Sequence, residues 1–233
     1  ARYARYARYA RYARYARYAR YARYAPGTLV GMALRPDLDV VAAMVPRGSR
    51  VLDLGCGDGA LLDHLINEKE CDGTGVEISD EGFHACVARG VPVMVADIDR
   101  GLADVEDAAF DVVILSQTLQ ATHRPALVLH EMMRVGRVGI VSFPNFGHWR
   151  LRWSLAARGR MPVSASLPYR WFDTPNIHLC TIRDFESLLQ AENLMTIRRV
   201  LLDAHGRPAD GLAMRRPNLL CAGGVYLVGR DRA

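Results

Sequence analysis

The stretch VLDLGCGDG, residues 51–59, decides how this chain folds. Residues 51–54 make a compact apolar strand. Glycines then take every second position, Gly55, Gly57 and Gly59. Each removes a side chain where the backbone has to turn sharply and lie close to a ligand. Residues 60–69 follow with Leu61, Leu62, Leu65 and Ile66 at helical spacing. With a strand before it and a helix after it, the turn offers exposed N–H groups and a positive helix end to an electronegative ligand. The segment reads as a nucleotide-cradling turn.

The same alternation extends on both sides. Residues 36–45 carry Leu38, Val41, Ala42 and Val45 at helical spacing and stop at Pro46, a short leading helix. A second strand is expected at 73–78. Ser79 as N-cap, Asp80 and Glu81 in the first turn and Gly90 at C′ then mark a helix. Strands three and four are expected at 91–96 and 110–115, the latter almost wholly apolar, as a central parallel strand should be. Pro125 opens a helix that Gly136 ends, and strand five follows at 138–143. After Pro144 the alternation gives way to an irregular, aromatic-rich stretch as far as about Cys180. Thr181 and Asp184 have the spacing of a capping box and open a helix through Ala191. Two late strands are expected at 195–202 and 219–228. The fold class that follows is α/β, a Rossmann-like, mostly parallel seven-stranded sheet with helices on both faces. Residues 32–233 read as one domain.

Acidic residues gather at the C-terminal strand ends, the edge where open α/β sheets bind ligands. Glu77 lies 22 residues after Gly55, at the end of strand two, where an acidic side chain accepts from both ribose hydroxyls. Asp97 ends strand three, placed to meet an adenine amino group, and Asp53 precedes the first glycine. Any one of them is equally at home as a helix cap; the set favours a nucleoside ligand. Glycine spacing alone leaves the cofactor open, because Gly55, Gly57 and Ala60 also satisfy the dinucleotide pattern G-x-G-x-x-G/A. The complete string, with Asp53 before it and Gly59 within it, resembles class I methyltransferases more closely. By that resemblance Asp53, Gly55, Gly57, Glu77, Asp97 and Ser116, with the neighbouring Cys56, Ile78 and Ile98, would line a pocket for S-adenosylmethionine or S-adenosylhomocysteine. Cys56 would contribute backbone, and no reactive thiol is expected there.

Three further strings are more specific: FDVVILSQTLQ (110–120), IVSFPNFGHWR (140–150) and GRMPVSASLPYRWFDTPNIHLCTIRDF (159–185). Together with LRPDL (34–38) they resemble the MetW family of bacterial methionine-biosynthesis proteins. The similarity runs from residue 34 to about 194. It implies a methyltransferase-like fold, a partnership with homoserine O-acyltransferase, and an accessory or activating role beside that enzyme. Methyl transfer does not follow from it, so a free-standing small-molecule methyltransferase is the alternative.

Methyl transfer needs alignment of acceptor and sulfonium, sometimes with a base. Gln117, Asn145, His148, Tyr169, Asp173, Asn176 and His178 fall after strands four and five, with His148 the base best placed by position. Pro144-Asn145 and Pro175-Asn176 are equally turn builders, and no residue is singled out as catalytic. No serine–histidine–acid or metal-binding pattern emerges. Between Glu131 and Asp173 there is no acidic residue but seven arginines, and Trp149, Trp153 and Trp171 lie in the same stretch. Trp149 and Trp153 are spaced to share a helix face, and Trp, Tyr and Arg dominate interface hot spots. Asn145, His148, Trp149, Tyr169 and Trp171 are therefore the substrate or partner candidates. A helical cover over the pocket explains the stretch equally well. A nucleic-acid groove lacks any recognised binding module.

The first 25 residues are eight Ala-Arg-Tyr repeats and one more Ala. They hold eight of the 30 basic residues; the remaining 208 residues carry 22 Lys+Arg against 25 Asp+Glu, a net charge of −3 instead of +5. The basic character thus belongs to the repeat. A three-residue period rotates each tyrosine row around a helix and builds no apolar stripe. Residues 1–31 are therefore expected to be disordered or foreign to the domain, rather than an arm for nucleic acid or membrane. No run approaches the roughly 18 apolar residues of a membrane span. Five scattered cysteines without a C-x-x-C pair argue against a disulfide framework or zinc site. The chain reads as a reduced, cytoplasmic protein.

Overall fold

A computed structural model of the chain describes residues 34–164, 167 and 169–230. The Ala-Arg-Tyr repeat lies outside the described residues. The elements in order are α1 (Pro36–Met44), β1 (Arg50–Leu54), α2 (Ala60–Lys69), β2 (Asp72–Glu77), α3 (Asp80–Arg89), β3 (Val93–Val95), β4 (Phe110–Ser116), α4 (Pro125–Val135), β5 (Gly136–Pro144), α5 (Trp149–Arg158), α6 (Ile182–Ala191), β6 (Leu194–Leu202), the short α7 (Pro217–Leu220) and β7 (Gly223–Arg230).

The seven strands form one sheet in the order β3-β2-β1-β4-β5-β7-β6. The first five are parallel, while β7 runs antiparallel to both β5 and β6. Strand order reverses between β1 and β4, which opens a crevice beyond their C-terminal ends. The turn 55–59 leaves β1 at that crevice. Along β4, Val112 and Ile114 join one apolar cluster with α1 and α2, and Val113 and Leu115 join the other with α4 and α6. Alternation along a strand sends neighbours to opposite faces, so helices cover both sides. On the second face Phe143, Phe185 and Tyr226 pack with ring centroids 4.5–5.7 Å apart, tying β5, α6 and β7 together.

Local signals place the helix ends. The Ser79 hydroxyl accepts from Gly82 N at the start of α3, and Gly90 closes that helix at φ 79°. Thr181 and Asp184 form both halves of the capping box of α6. Three boundaries depart from expectation. Strand β3 shrinks to three residues because Val91 N donates to Cys86 O, ending α3 instead of starting the strand. Gly136 both caps α4 and begins β5, with no loop between. Leu219 and Leu220 belong to α7, which Pro217 opens, so the last strand begins four residues later than the apolar run suggested. Among the described residues no helix is long and apolar enough to cross a membrane.

Candidate functional site

All three glycines of the turn adopt positive φ: 74° at Gly55, 56° at Gly57 and 74° at Gly59. Their surroundings separate their roles. A Cβ on Gly55 would lie 2.6 Å from the Thr118 side chain, and one on Gly59 would lie 2.9 Å from Cys86 Sγ. Those two are glycine because protein packs against them. A Cβ on Gly57 would meet nothing within 4 Å. Gly57 alone of the three turns a bare backbone toward open space, the condition for close approach of a ligand.

Two carboxylates flank that backbone. Asp53 is buried at the end of β1, and its Oδ1 has no hydrogen-bond partner. Burial first, and the neighbouring Glu77 second, push its pKa up to about 7. Glu77 ends β2. Its Oε2 accepts from Gly57 N at 2.8 Å, and its Oε1 accepts from Ile78 N at 3.0 Å and from Ser79 N and Oγ at 2.9 Å. Gly82 is needed beside it, since a Cβ there would lie 2.8 Å from Glu77 Cγ. The adjoining Ile78 is 63% exposed, an apolar platform next to the carboxylate. An unpaired buried carboxylate, a second one on the turn N–H and an open glycine suit a polar, partly cationic nucleoside.

The remaining candidates divide. Ser116 Oγ lies 3.0 Å from Ser142 Oγ, tying β4 to β5. Just past it Gln117 takes φ 56°, unusual for a residue with a side chain, and donates its N–H to Ser142 O. Asp97 lies two residues beyond β3 and caps the turn 98–100, accepting from Asp99 N and pairing with Arg100 at 3.1 Å. Ile98 packs into the core from that turn.

Asn145 is fully buried. Its Nδ2 donates to Asn218 O and Cys221 O, and its Oδ1 accepts from Gly147 N and Ile182 N. Every polar valence of the amide is spent joining β5, α6 and α7, which leaves none for a substrate. His148 is buried too and caps α5, its Nδ1 accepting from Arg150 N. Burial, then the Arg150 charge, lowers its pKa, so the ring stays neutral at pH 7. Trp149, Tyr169 and Trp171 lie on the surface instead, Trp171 at 73% exposure and Trp153 at 69%. Behind them a hollow of about 150 Å³ is lined by Phe146, Met161, Tyr169, Trp171, Asn176 and Leu179.

Sequence reasoning missed Gln120. It is buried against Pro144, Phe146 and Cys180, donates Nε2 to Gln117 O at 2.7 Å and leaves Oε1 without a partner. Its own carbonyl holds Ile177 and His178 N–H, so it fastens the aromatic segment to the loop after β4. No local pattern marks such a residue, because the N–H groups its carbonyl holds lie nearly 60 positions away in sequence. Among the described residues no group of side chains is arranged to hold a metal ion.

Comparison with known proteins agrees with this architecture. A crystallised S-adenosylmethionine-dependent methyltransferase from Mesorhizobium loti superposes with a TM-score of 0.61 over 84% of this chain and 98% of that one, at 19% identity. A methyltransferase structure from Thermotoga maritima gives 0.58 over 84% and 88%, at 17% identity. These show the fold: class I methyltransferase, Rossmann-like. A bifunctional methionine biosynthesis protein MetXA/MetW from Rhodopirellula baltica is 37% identical over 181 residues, 74% of this chain. The chain spans 29% of the length of that relative. The family model for methionine biosynthesis protein MetW matches residues 35–228. The chain belongs to the MetW family of methionine-biosynthesis proteins.

Proposed function

We propose that this protein binds S-adenosylmethionine or S-adenosylhomocysteine at the turn 55–59 and acts with homoserine O-acyltransferase as its accessory or activating subunit. The observation that carries the binding half is the Asp53 carboxylate, buried and unpartnered beside Glu77 where Gly57 opens onto space. Gly57 and Glu77 would hold the ribose side, Ile78 the base, and Asp53 would face the cationic amino-acid end. Asp53 then recovers its charge against a cation, in a site where water does not screen the pair. When bound, S-adenosylmethionine supplies an electrophilic methyl group on a sulfonium; the residues here bind and orient it.

The partner half is supported by the bifunctional relative, which joins a MetXA part to a MetW part in one chain. It is supported as well by the exposed Trp149, Trp153, Tyr169, Trp171 and Phe172 on an acid-free, arginine-bearing segment. Aromatic and arginine side chains at that density are what interfaces use as anchors. The test is co-purification with homoserine O-acyltransferase and acylation assays with and without this protein. Trp153→Ser with Trp171→Ser is expected to abolish association without loss of fold. No association and no change in acylation would overturn the partner half. Calorimetric titration with S-adenosylmethionine, S-adenosylhomocysteine and NAD tests the other half; heat from NAD alone refutes it.

A second reading, a free-standing methyltransferase, draws on the hollow, which offers room for a small acceptor. Labelled S-adenosylmethionine with a metabolite extract would then yield a labelled product.

A further inference from the structure

Beneath the glycine turn two thiols separated by 30 positions meet: Cys56 Sγ and Cys86 Sγ lie 3.6 Å apart, both buried. Neither is used by the function proposed above. Their meeting depends on two glycines. Cys56 reaches over β2 where Gly75 leaves room, since a Cβ there would lie 2.4 Å from its sulfur, and Cys86 rises toward the bare Gly59. Cys86 also donates its S–H to Gly57 O at 3.2 Å. One helical turn on, Arg89 Nε donates to Asp58 O at 2.9 Å and its guanidinium pairs with the Asp58 carboxylate at 2.8 Å. Helix α3 is therefore the floor of the turn, and the thiol pair is the contact between floor and turn.

We propose that Cys56 and Cys86 form a reversible oxidation site, closed to a disulfide by a peroxide, and that the disulfide weakens cofactor binding at the turn above it. The effect on binding rests on the cofactor assignment; the oxidation site does not. A hydrogen bond from the Cys56 thiol lowers the Cys86 pKa, so Cys86 is the sulfur that ionises first. Its thiolate attacks the O–O bond, forming a sulfenic acid and releasing hydroxide, which takes up a proton to leave as water. The Cys56 sulfur then displaces the hydroxyl from Cys86, the S–S bond forms, and a second water departs. Two thiols lose two electrons in all, and one peroxide is reduced to two waters.

Closing the bond brings the sulfurs to about 2.05 Å. The Cys86 proton that Gly57 O accepts is lost, and Cys56 is drawn off its seat on Gly75. One change falls on Gly57 itself and the other on Cys56 just before it. Distortion equivalent to one lost hydrogen bond lowers affinity about tenfold.

The test uses the full chain, treated with hydrogen peroxide and then with dithiothreitol. Peptide mapping is expected to find a Cys56–Cys86 bridge, with the loss of two hydrogens in the intact mass, reversed by the reductant. Calorimetry with S-adenosylhomocysteine is expected to show affinity about tenfold lower after peroxide and restored by reduction. In Cys86→Ser the affinity is expected to be the same before and after peroxide; should that variant not fold, Cys86→Ala serves. Peroxide that leaves sulfenic or sulfonic acid without a bridge overturns the site. A bridge that forms with affinity unchanged overturns its effect on binding. Reduced protein that binds no S-adenosylhomocysteine refutes the cofactor assignment, and the bridged peptide alone then decides the oxidation site.

Discussion

Replacing Asp53 by asparagine removes a charge that the fold buries at a cost. The carboxyl is sealed at the end of β1, Oδ1 has no partner, and its pKa rises from the ordinary carboxylate value of 3.8 to about 7, by burial first and Glu77 second. Between those two values the folded protein holds a proton that the unfolded chain has released. Stability therefore falls as pH rises from about 4 to about 7 and levels off above, by about 1.4 kcal/mol per pH unit, or about 4 kcal/mol in all. The asparagine of Asp53→Asn is neutral throughout. The variant's stability relative to wild type should be near zero at pH 4 and rise to about +4 kcal/mol at pH 8. Urea unfolding of the ligand-free protein, followed by tryptophan fluorescence at several pH values, gives that difference directly. Taking the difference cancels every other titrating group that the two proteins share. The variant should at the same time bind S-adenosylmethionine more weakly, having lost the anion that meets its cationic end. A stability difference flat from pH 4 to pH 8 would refute the reasoning, because it would mean that Asp53 is as easily ionised folded as unfolded.

Gly57→Val should abolish S-adenosylhomocysteine binding by calorimetry. It should destabilise the fold by about 1–2 kcal/mol, the cost of a branched side chain at positive φ. Asn145→Ala strips partners from two N–H groups and two carbonyls around β5, α6 and α7; a loss of about 3 kcal/mol in urea unfolding is expected. Arg134 bonds Glu131, Asp107 and the carbonyls of Leu102 and Val105, and its side-chain hydrogen bonds hold the Glu131 pKa down at about 2. That contribution is present above the ordinary glutamate pKa and is lost as pH falls through 2. Arg134→Met should therefore make stability less steep in acid, read by circular dichroism between pH 5 and pH 2.

The turn and the aromatic segment share a connector. Thr118 presses on Gly55, Gln117 N–H is held by Ser142, and Gln120 carries Ile177 and His178 on its carbonyl. Phe146 N, just after β5, donates to Cys180 O two residues farther along the same segment. The C-terminal end of the segment, residues 177–180, is thus fastened to the loops that leave the C-terminal edge of β4 and β5. Trp149, Trp153, Tyr169, Trp171 and Phe172 stay exposed on the same segment.

What the sequence disclosed was whatever depends on near neighbours. Ser79, Gly90, Thr181 and Asp184 could be read because a cap is settled within four residues. The glycine turn was legible as a turn for the same reason, yet its division of labour was not. Gly55 is glycine on account of Thr118, 63 positions on, and Gly59 on account of Cys86, so packing alone requires glycine at two of the three positions. Asn145 looked like a site residue because it follows Pro144 at the ligand edge; its partners Ile182, Asn218 and Cys221 come from elements far along the chain. The paired thiols escaped notice because 30 positions separate them and only Gly59 and Gly75 let them touch. In each case the residue type was informative but the partner was remote. The glycines of the turn thus divide: Gly57 faces open space, and Gly55 and Gly59 face the protein.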